Sequence, residues 1–214
     1  MTETIVRHAV RTACILAAFA LVGTLLLSGV FSVTQDPIRK SEEAARMALF
    51  SQILPDDMHD NALLEDVLQL PPSDMLGSRD PVQVHRARLR GEPAAVILEA
   101  IAPDGYSGDI KLLIAIRDDG SVAGVRVLTH KETPGLGDYI EIARSDWIKN
   151  FDGQSIAKTA PDDWKVQKDG GQFDYRAGAT ITPRAVVKAV QKALLYFDRH
   201  RYALFAVNAT EQKS

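Results

Sequence analysis

The longest apolar segment of the chain lies close to its N-terminus. From Thr12 to Thr34 there are 23 consecutive residues without a charge. At a helical rise of about 1.5 Å per residue, this segment spans about 34 Å, enough to cross a hydrocarbon core of about 30 Å with some tilt. A helix pairs all of its backbone groups within the segment, as lipid requires. The pattern therefore predicts one transmembrane helix, with residues 1–34 forming a short cytoplasmic tail and an anchor.

A cleaved signal peptide is the alternative interpretation of this segment. The apolar run is long for a signal peptide, and no A-x-A site follows it, which favours a retained anchor. Arg7 and Arg11 precede the helix and three basic residues follow it between positions 39 and 46, so the charges alone favour a cytoplasmic tail only slightly. The single cysteine, Cys14, lies inside the apolar segment, and a thiol-free remainder suits a location outside the cytoplasm.

The segment after the anchor is polar and is predicted to be a linker. Asp36–Leu54 has the spacing of an amphipathic helix that Pro55 ends. Residues 55–92 contain several prolines and are predicted to be irregular, apart from a short helix around Asn61–Leu70. Residues 35–92 are therefore interpreted as a linker helix followed by an irregular region.

Strand-like patterns begin near residue 93. Ala94–Ala102, Ile110–Ile116 and Val122–Leu128 are apolar runs, and Asp119-Gly120 between the last two predicts an antiparallel hairpin. Val166–Tyr175 is predicted to be a further strand or hairpin around Gly170-Gly171.

Two later segments have helical spacing. Gly137–Phe151 places apolar residues on one face, and Thr182–His200 does so more clearly, with Thr182 as N-cap and Pro183 at the first helical position. Strands and helices do not alternate regularly, which predicts an α+β fold with a mixed, largely antiparallel sheet and packed helices. Residues 93–200 are taken as the folded domain and 201–214 as a C-terminal tail.

The charge of the part beyond residue 34 excludes one class of partner. This part has 23 basic and 27 acidic residues, a net charge near −4. Nucleic-acid-binding proteins present basic faces, so no nucleic-acid partner is expected. Its 180 residues are enough for one domain with its own core.

The segment His130–Asp138 does not look like ordinary structure. It follows a strand and precedes a predicted helix, and its glycines and proline give a tight turn where backbone N–H groups can approach a flat or anionic ligand. A purely structural strand-to-helix turn is the alternative. Two candidate ligands, His130 and Glu132, are too few for a metal site. Their structural interpretation is that they solvate or cap the turn.

The segment Asp174–Thr182 leads into the longest predicted helix of the domain. Small residues precede this helix, and the Thr180 hydroxyl lies two residues ahead of the predicted N-cap. A phosphate linked there would lie near unpaired N–H groups and the positive end of the helix dipole. An ordinary surface threonine at a tight helix entry is the alternative from these residues alone.

The two segments together resemble the G subunit of the Rnf-type electron transport complex, and the chain is similar to the C subunit of the sodium-pumping NADH:quinone reductase. The family pattern D-x-x-[S/T]-G-A-T is matched by Asp174, Gly178, Ala179 and Thr180, whereas Ala177 stands where serine or threonine is usual. The family segment H-x-E-T-P-G-L-G is matched by His130, Glu132, Thr133, Pro134, Gly135, Leu136 and Gly137. A G-Y-x-G element is matched by Gly105, Tyr106 and Gly108.

The resemblance implies an FMN-binding domain on the periplasmic side of the bacterial inner membrane. It implies that a flavin transferase joins FMN through its phosphate to the Thr180 hydroxyl. It also implies that the protein assembles with the other subunits of the complex in the lipid bilayer. The turn from Glu132 to Gly137 is then the expected wall of the ring site, with Leu136 for apolar contact and Thr133 for polar edges. Tyr106 either stacks on the ring or closes a strand. The departure from the pattern at Ala177 leaves the acceptor hydroxyl of Thr180 in place. It changes a position that the transferase is expected to recognise, so recognition is in question.

The function implied is electron transfer through FMN within an ion-translocating complex. The quinone-reductase protein is the alternative within the same fold. A membrane-tethered assembly module without a flavin and a periplasmic reductase acting on a soluble substrate are the alternatives from other classes. No nucleophile–base pair for chemistry on a substrate stands out, which suits an electron carrier.

Overall fold

The first compact unit of the protein is a single helix. In the computed structural model, which describes residues 2–206, the chain divides into Met1–Arg46 and Met47–Ser214. Helix α1 (Thr2–Phe50) is long and apolar enough to cross a membrane, judged by its length and composition. Its apolar side chains, such as Phe19, Leu25 and Leu27, are largely exposed, as lipid-facing residues are in the absence of lipid.

The helix predicted for Asp36–Leu54 is present as far as Phe50, and it continues the anchor helix without a break. One helix runs from the anchor through Pro37 to Phe50, and residues 51–54 lie outside it. Pro37 removes one backbone hydrogen bond, and the long helical segments on both sides make the rest of theirs. The chain leaves the helix after Phe50, and Ile53 and Leu54 are buried in the second unit.

A five-stranded antiparallel sheet forms the centre of the second unit. Its strands follow one another in chain order and each pairs with the next. They are β1 (Val67–Leu70), β2 (Val82–Leu89), β3 (Glu92–Ala102), β4 (Ile110–Arg117) and β5 (Val122–Thr129). The α+β class with a largely antiparallel sheet is confirmed, as are the three strands and the hairpin predicted after residue 93.

The prediction for residues 55–92 was wrong in its secondary structure. A short 3₁₀ helix (Asp56–Met58) and the strands β1 and β2 lie there, with no helix around Asn61–Leu70. Strand β2 was missed because its sequence is polar, yet Arg86 is only 1% exposed. Its guanidinium pairs with Asp66 and donates to the carbonyl of Ala206, which satisfies a charge that burial would otherwise penalise.

The sheet is covered on both faces, which explains the nearly uninterrupted apolar sequence of β4. Leu112, Ile114 and Ile116 belong to a large core shared with the second long helix. Leu113 and Ala115 belong to a smaller core on the other face, together with Phe50, Ile53 and Leu54. Because successive side chains of a strand point to opposite faces, both registers of β4 must be apolar.

Helix α2 (Ile181–Phe205) is longer than predicted, and the other helical prediction was wrong. Gly137–Phe151 forms two 3₁₀ helices, Asp138–Ile140 and Asp146–Phe151, instead of one α-helix. Trp147 packs edge to face against both Tyr139 and Phe151 there, and Ser145 caps the second helix by accepting a hydrogen bond from the N–H of Trp147. Of the predicted C-terminal tail, α2 takes residues 201–205, and residues 207–214 lie outside the described part.

The segment Val166–Tyr175 was predicted to be a strand or hairpin. It contains a 3₁₀ helix (Gln167–Asp169) and one parallel bridge between Val166 and Phe173. Gly171 is required there, because a Cβ at this position would lie 2.1 Å from the carbonyl oxygen of Lys165. The chain therefore folds back on itself without forming a ladder.

Candidate functional site

A cleft of about 180 Å³ opens where three segments of the second unit meet. The loop after β3 and the segment after β5 lie at the same end of the sheet, because Lys111 of β4 pairs with both Ile101 and Thr129. Helix α2 packs across β3 and β4, and its first residues complete the cleft. The lining residues are Tyr106, Glu132, Thr133, Leu136, Gly137, Gly178, Ala179, Thr180, Ile181 and Thr182.

The turn after β5 presents Leu136 to the cleft. The carbonyl oxygen of Thr133 accepts hydrogen bonds from the N–H groups of Leu136 and Gly137, both at 3.1 Å. The N–H of Gly135, which has φ +78°, donates to Oδ1 of the buried Asp138 at 2.9 Å. These bonds fix a tight turn, and Leu136 remains 51% exposed.

His130 caps this turn from its first residue. Its Nδ1 accepts a hydrogen bond from the N–H of Glu132 at 2.9 Å, so a neutral ring carries its proton on Nε2. That nitrogen lies 2.7 Å from Oε1 of Glu141. Of the two roles considered for His130, solvating or capping the turn, this geometry fits capping.

Glu132 joins all three segments of the cleft. It is only 4% exposed, and its carboxylate accepts a hydrogen bond from the Thr182 hydroxyl on one oxygen. The other oxygen accepts from the N–H of Ser107 at 3.0 Å. The loop between β3 and β4, the turn after β5 and the start of α2 are thus linked through one buried side chain.

The start of α2 differs from the prediction. Thr180 occupies the N-cap position and makes no side-chain capping bond, while Thr182 lies inside the helix with its hydroxyl on Glu132. Pro183 is accordingly the third helical residue, where a missing N–H also costs no intrahelical bond. The prediction of Thr182 as N-cap was wrong because a buried carboxylate competes for its hydroxyl. Gly178 has φ +87°, a conformation that side chains disfavour, and it turns the chain into the helix.

Three predicted site residues do not line the cleft. Pro134, Gly135 and Asp174 are not among the residues that line the cleft, and the Asp174 carboxylate accepts a hydrogen bond from the Gln167 side chain at 2.7 Å. The Asp174 carbonyl accepts from the indole N–H of Trp147 at 2.7 Å, which ties the segment before Thr180 to the core. Ile181 and Thr182 line the cleft and were not predicted to do so, although their position directly after Thr180 pointed to them.

Charged residues near the cleft are paired with one another. Arg184 donates to Asp169 at 2.5 and 2.6 Å, and this hydrogen bonding lowers the pKa of the Asp169 carboxyl. The Lys188 ammonium hydrogen bonds to Asp104 and lowers the pKa of that carboxyl in the same way. Burial raises the pKa of the Tyr139 phenol, whose ring lies beneath the guanidinium of Arg176. Arg184 and Lys188, both near the start of α2, are thus each held by an acidic partner.

The residues present fit a phosphorylated, partly apolar ligand. Leu136, Ile181 and Tyr106 are all at least 45% exposed and border the cleft, as apolar walls for a flat ring would. At the other end, the Thr180 hydroxyl stands at a helix N-terminus, where a phosphate is stabilised by unpaired N–H groups. Tyr106 is 67% exposed, so its side chain does not close the strand core.

Two family models match the chain. The FMN-binding domain matches residues 105–195, which include all three segments of the cleft, and the RnfG N-terminal region matches residues 1–53. Together the two matches cover most of the sequence.

Curated relatives match nearly the full chain. A protein of Pseudomonas aeruginosa, named as the G subunit of an ion-translocating oxidoreductase complex, is 48% identical, with 94% of each chain covered. Proteins of the same name from Shewanella loihica and Vibrio cholerae are each 46% identical, over 92% and 89% of this chain and 93% and 90% of their own. The chain therefore belongs to the RnfG family, the G subunits of Rnf-type ion-translocating oxidoreductase complexes.

Proposed function

We propose that this protein passes electrons through an FMN that is held in the cleft and joined by its phosphate to Thr180. The protein is a membrane-anchored flavoprotein within an ion-translocating oxidoreductase complex, and its FMN-binding domain contains the cleft. The observation that carries the attachment is the Thr180 hydroxyl, which borders the cleft at the N-cap of α2 and makes no capping bond of its own.

The position of Thr180 suits a phosphoester. The threonine oxygen forms the bond to phosphorus, its proton leaves, and the group that had activated the phosphate departs; a flavin transferase supplies the activated donor. The phosphate then lies at the positive end of α2, whose first N–H groups have no intrahelical acceptor. A covalent link retains the cofactor where no flavin pool replaces it.

The remaining cleft residues are proposed to place the ring. Bound FMN supplies the electron chemistry, and the protein supplies position and electrostatics. Leu136 and Tyr106 offer apolar contact, and Thr133 and the backbone of Gly137 offer polar contacts at the ring edge. Gly178 and Ala179 keep the approach to Thr180 free of bulky side chains. Asp174, Pro134 and Gly135 act indirectly, by holding the two loops in place.

We further propose that the domain faces the periplasm and that α1 crosses the bacterial inner membrane. The few basic residues before the apolar segment and the thiol-free remainder of the chain support this orientation. Protease added to intact spheroplasts is then expected to degrade the domain. Complete protection, with degradation after lysis, would place it on the cytoplasmic side.

The attachment is tested with three variants made in a host that has the transferase. Thr180→Val removes the hydroxyl with little change in shape, so the denatured protein should lose its flavin fluorescence and the mass of FMN. Thr180→Ser keeps a hydroxyl and should retain part of the flavin. Thr133→Val is the matched control, because it removes another cleft hydroxyl and should leave the covalent flavin in place. A Thr180→Val protein that still carries flavin after denaturation would assign the link to another residue.

A further inference from the structure

The Glu132 carboxylate is the only acidic side chain among the residues that line the described cleft. Both of its oxygens accept hydrogen bonds, one from the Thr182 hydroxyl and one from the Ser107 N–H. The Ser107 N–H can only donate, so Oε1 accepts, while the Thr182 hydroxyl holds the other oxygen. A carboxylate side chain therefore stands at the wall of the cleft.

Two glycines lie directly against this carboxylate. A Cβ on Gly137 would lie 2.9 Å from Oε2 of Glu132 and from Oγ1 of Thr182. A Cβ on Gly105 would lie 3.1 Å from Oε1 of Glu132 and 2.2 Å from the carbonyl oxygen of Gly108. The two glycines thus approach the carboxylate closely, and a side chain on Gly137 would force the carboxylate or the Thr182 hydroxyl to shift.

The charge of Glu132 is not neutralised by a cation. Within residues 2–206, no ion pair includes Glu132, whereas Arg184 and Lys188 at the start of α2 pair with Asp169 and Asp104. Hydrogen bonds from neutral donors stabilise the carboxylate without removing its charge. Its field therefore acts on whatever occupies the cleft, and it is weakly screened because the group is buried.

We propose that Glu132 is a positioning residue with an electrostatic role: it fixes the three segments of the cleft and lowers the midpoint potential of the flavin they hold. This inference rests on the proposed FMN site. Reduction adds negative charge to the ring system, and a nearby fixed negative charge opposes that addition. The same side chain that joins the segments of the cleft thereby stabilises the oxidised form of the cofactor relative to the reduced form.

The test compares Glu132→Gln with Thr182→Val in the full-length, flavinylated protein. Glutamine keeps the shape, accepts from Ser107 through its oxygen and donates to the Thr182 hydroxyl through its amide, so only the charge is removed. Thr182→Val keeps the carboxylate and loses the hydrogen bond between positions 182 and 132. Covalent flavin per protein, thermal unfolding and the midpoint potential are measured for each variant.

We expect Glu132→Gln to raise the midpoint potential. A tenfold rise in the ratio of reduced to oxidised flavin at a fixed potential is about 30 mV for a two-electron couple, and a shift of roughly this size or more is expected. Thr182→Val should lower thermal stability without raising the potential. An unchanged potential in Glu132→Gln, or an equal rise in both variants, would overturn the electrostatic role.

Two further outcomes keep the proposal falsifiable. If Glu132→Gln does not accumulate as folded protein, Glu132→Asp restores the charge with a shorter side chain, and recovery of folded, flavinylated protein with a low potential supports the proposal. Failure of both variants to fold overturns it, since Glu132 would then be a structural residue alone. Wild-type protein without flavin would instead refute the proposed FMN site, which separates the two failures.

Discussion

Replacing Thr182 by valine tests the hydrogen bond that joins the start of α2 to Glu132. Thr182 is 1% exposed, and valine has nearly the same volume, so the change opens no cavity and removes one donor. Hydrogen bonds to charged groups contribute about 1.5–3 kcal/mol to stability, and the Glu132 carboxylate would keep only the bond from Ser107. A loss of about 2 kcal/mol in the free energy of unfolding is therefore expected.

The two tryptophans of the chain provide the assay. Trp147 and Trp164 are both buried in the second unit, so their fluorescence reports on that unit and not on α1. In detergent-solubilised full-length protein, a loss of about 2 kcal/mol should lower the melting temperature by about 4–8 °C for a unit of this size. Flavin-free wild-type protein is the reference, because flavin quenches tryptophan fluorescence and contributes stability of its own.

Thr180→Val is the matched control for this measurement. The same substitution two residues earlier removes a hydroxyl that makes no capping bond, so stability should change by less than about 0.5 kcal/mol. In a double variant with Glu132→Gln, Thr182→Val should cost less than it does alone, because the hydrogen bond that it removes no longer involves a charged group. Equal stabilities of the Thr182→Val and Thr180→Val proteins would refute the reasoning.

Three other substitutions have distinct expected results. Leu136→Asp should keep the covalent flavin but shift its absorbance and midpoint potential, because a charge replaces an apolar contact; unchanged values would place Leu136 outside the flavin contact. Gly178→Ala should reduce the flavin content measured by absorbance, because a φ of +87° costs alanine about 1–2 kcal/mol. The control Gly153→Ala changes a glycine with φ +71° away from the cleft and should leave the flavin content unchanged. Arg86→Met should lower the free energy of unfolding, measured in urea, by about 3 kcal/mol. This is the low end for a broken buried ion pair, because Arg88 still pairs with Asp66, and wild-type stability would refute the role of the pair.

The hairpin and the main domain helix could be predicted because local and tertiary signals agree there. β4 and β5 are apolar runs on either side of Asp119-Gly120, and Gly120 has the positive φ that such a turn requires. Helix α2 has a continuous buried face from Val186 to Phe197. The motif residues that reach the cleft were also predictable, since eight of them line it.

Two of the missed features, strand β2 and the role of Thr182, depend on contacts between distant residues. Strand β2 is polar in sequence because Arg86 is balanced by Asp66, 20 positions earlier, and by Ala206, 120 positions later. Thr182 looked like an N-cap because the sequence does not reveal that Glu132, 50 positions away, takes its hydroxyl. Sequence spacing predicts the role of such a residue from its own conformational preference, whereas in the fold a distant hydrogen-bond partner sets that role.

The crowding around the Glu132 carboxylate also bears on how this cleft can change during evolution. A Cβ at Gly137 would lie 2.9 Å from Oε2 of Glu132 and 2.9 Å from Oγ1 of Thr182, so alanine there would displace both partners of one hydrogen bond. A shorter side chain at position 132 would not make room for it by itself, because the Thr182 hydroxyl stays in place. Positions 132, 137 and 182 should therefore show epistasis, with alanine at position 137 tolerated only where both of the other residues also change. Deep mutational libraries that vary these three positions together would find functional combinations that single-site scans miss.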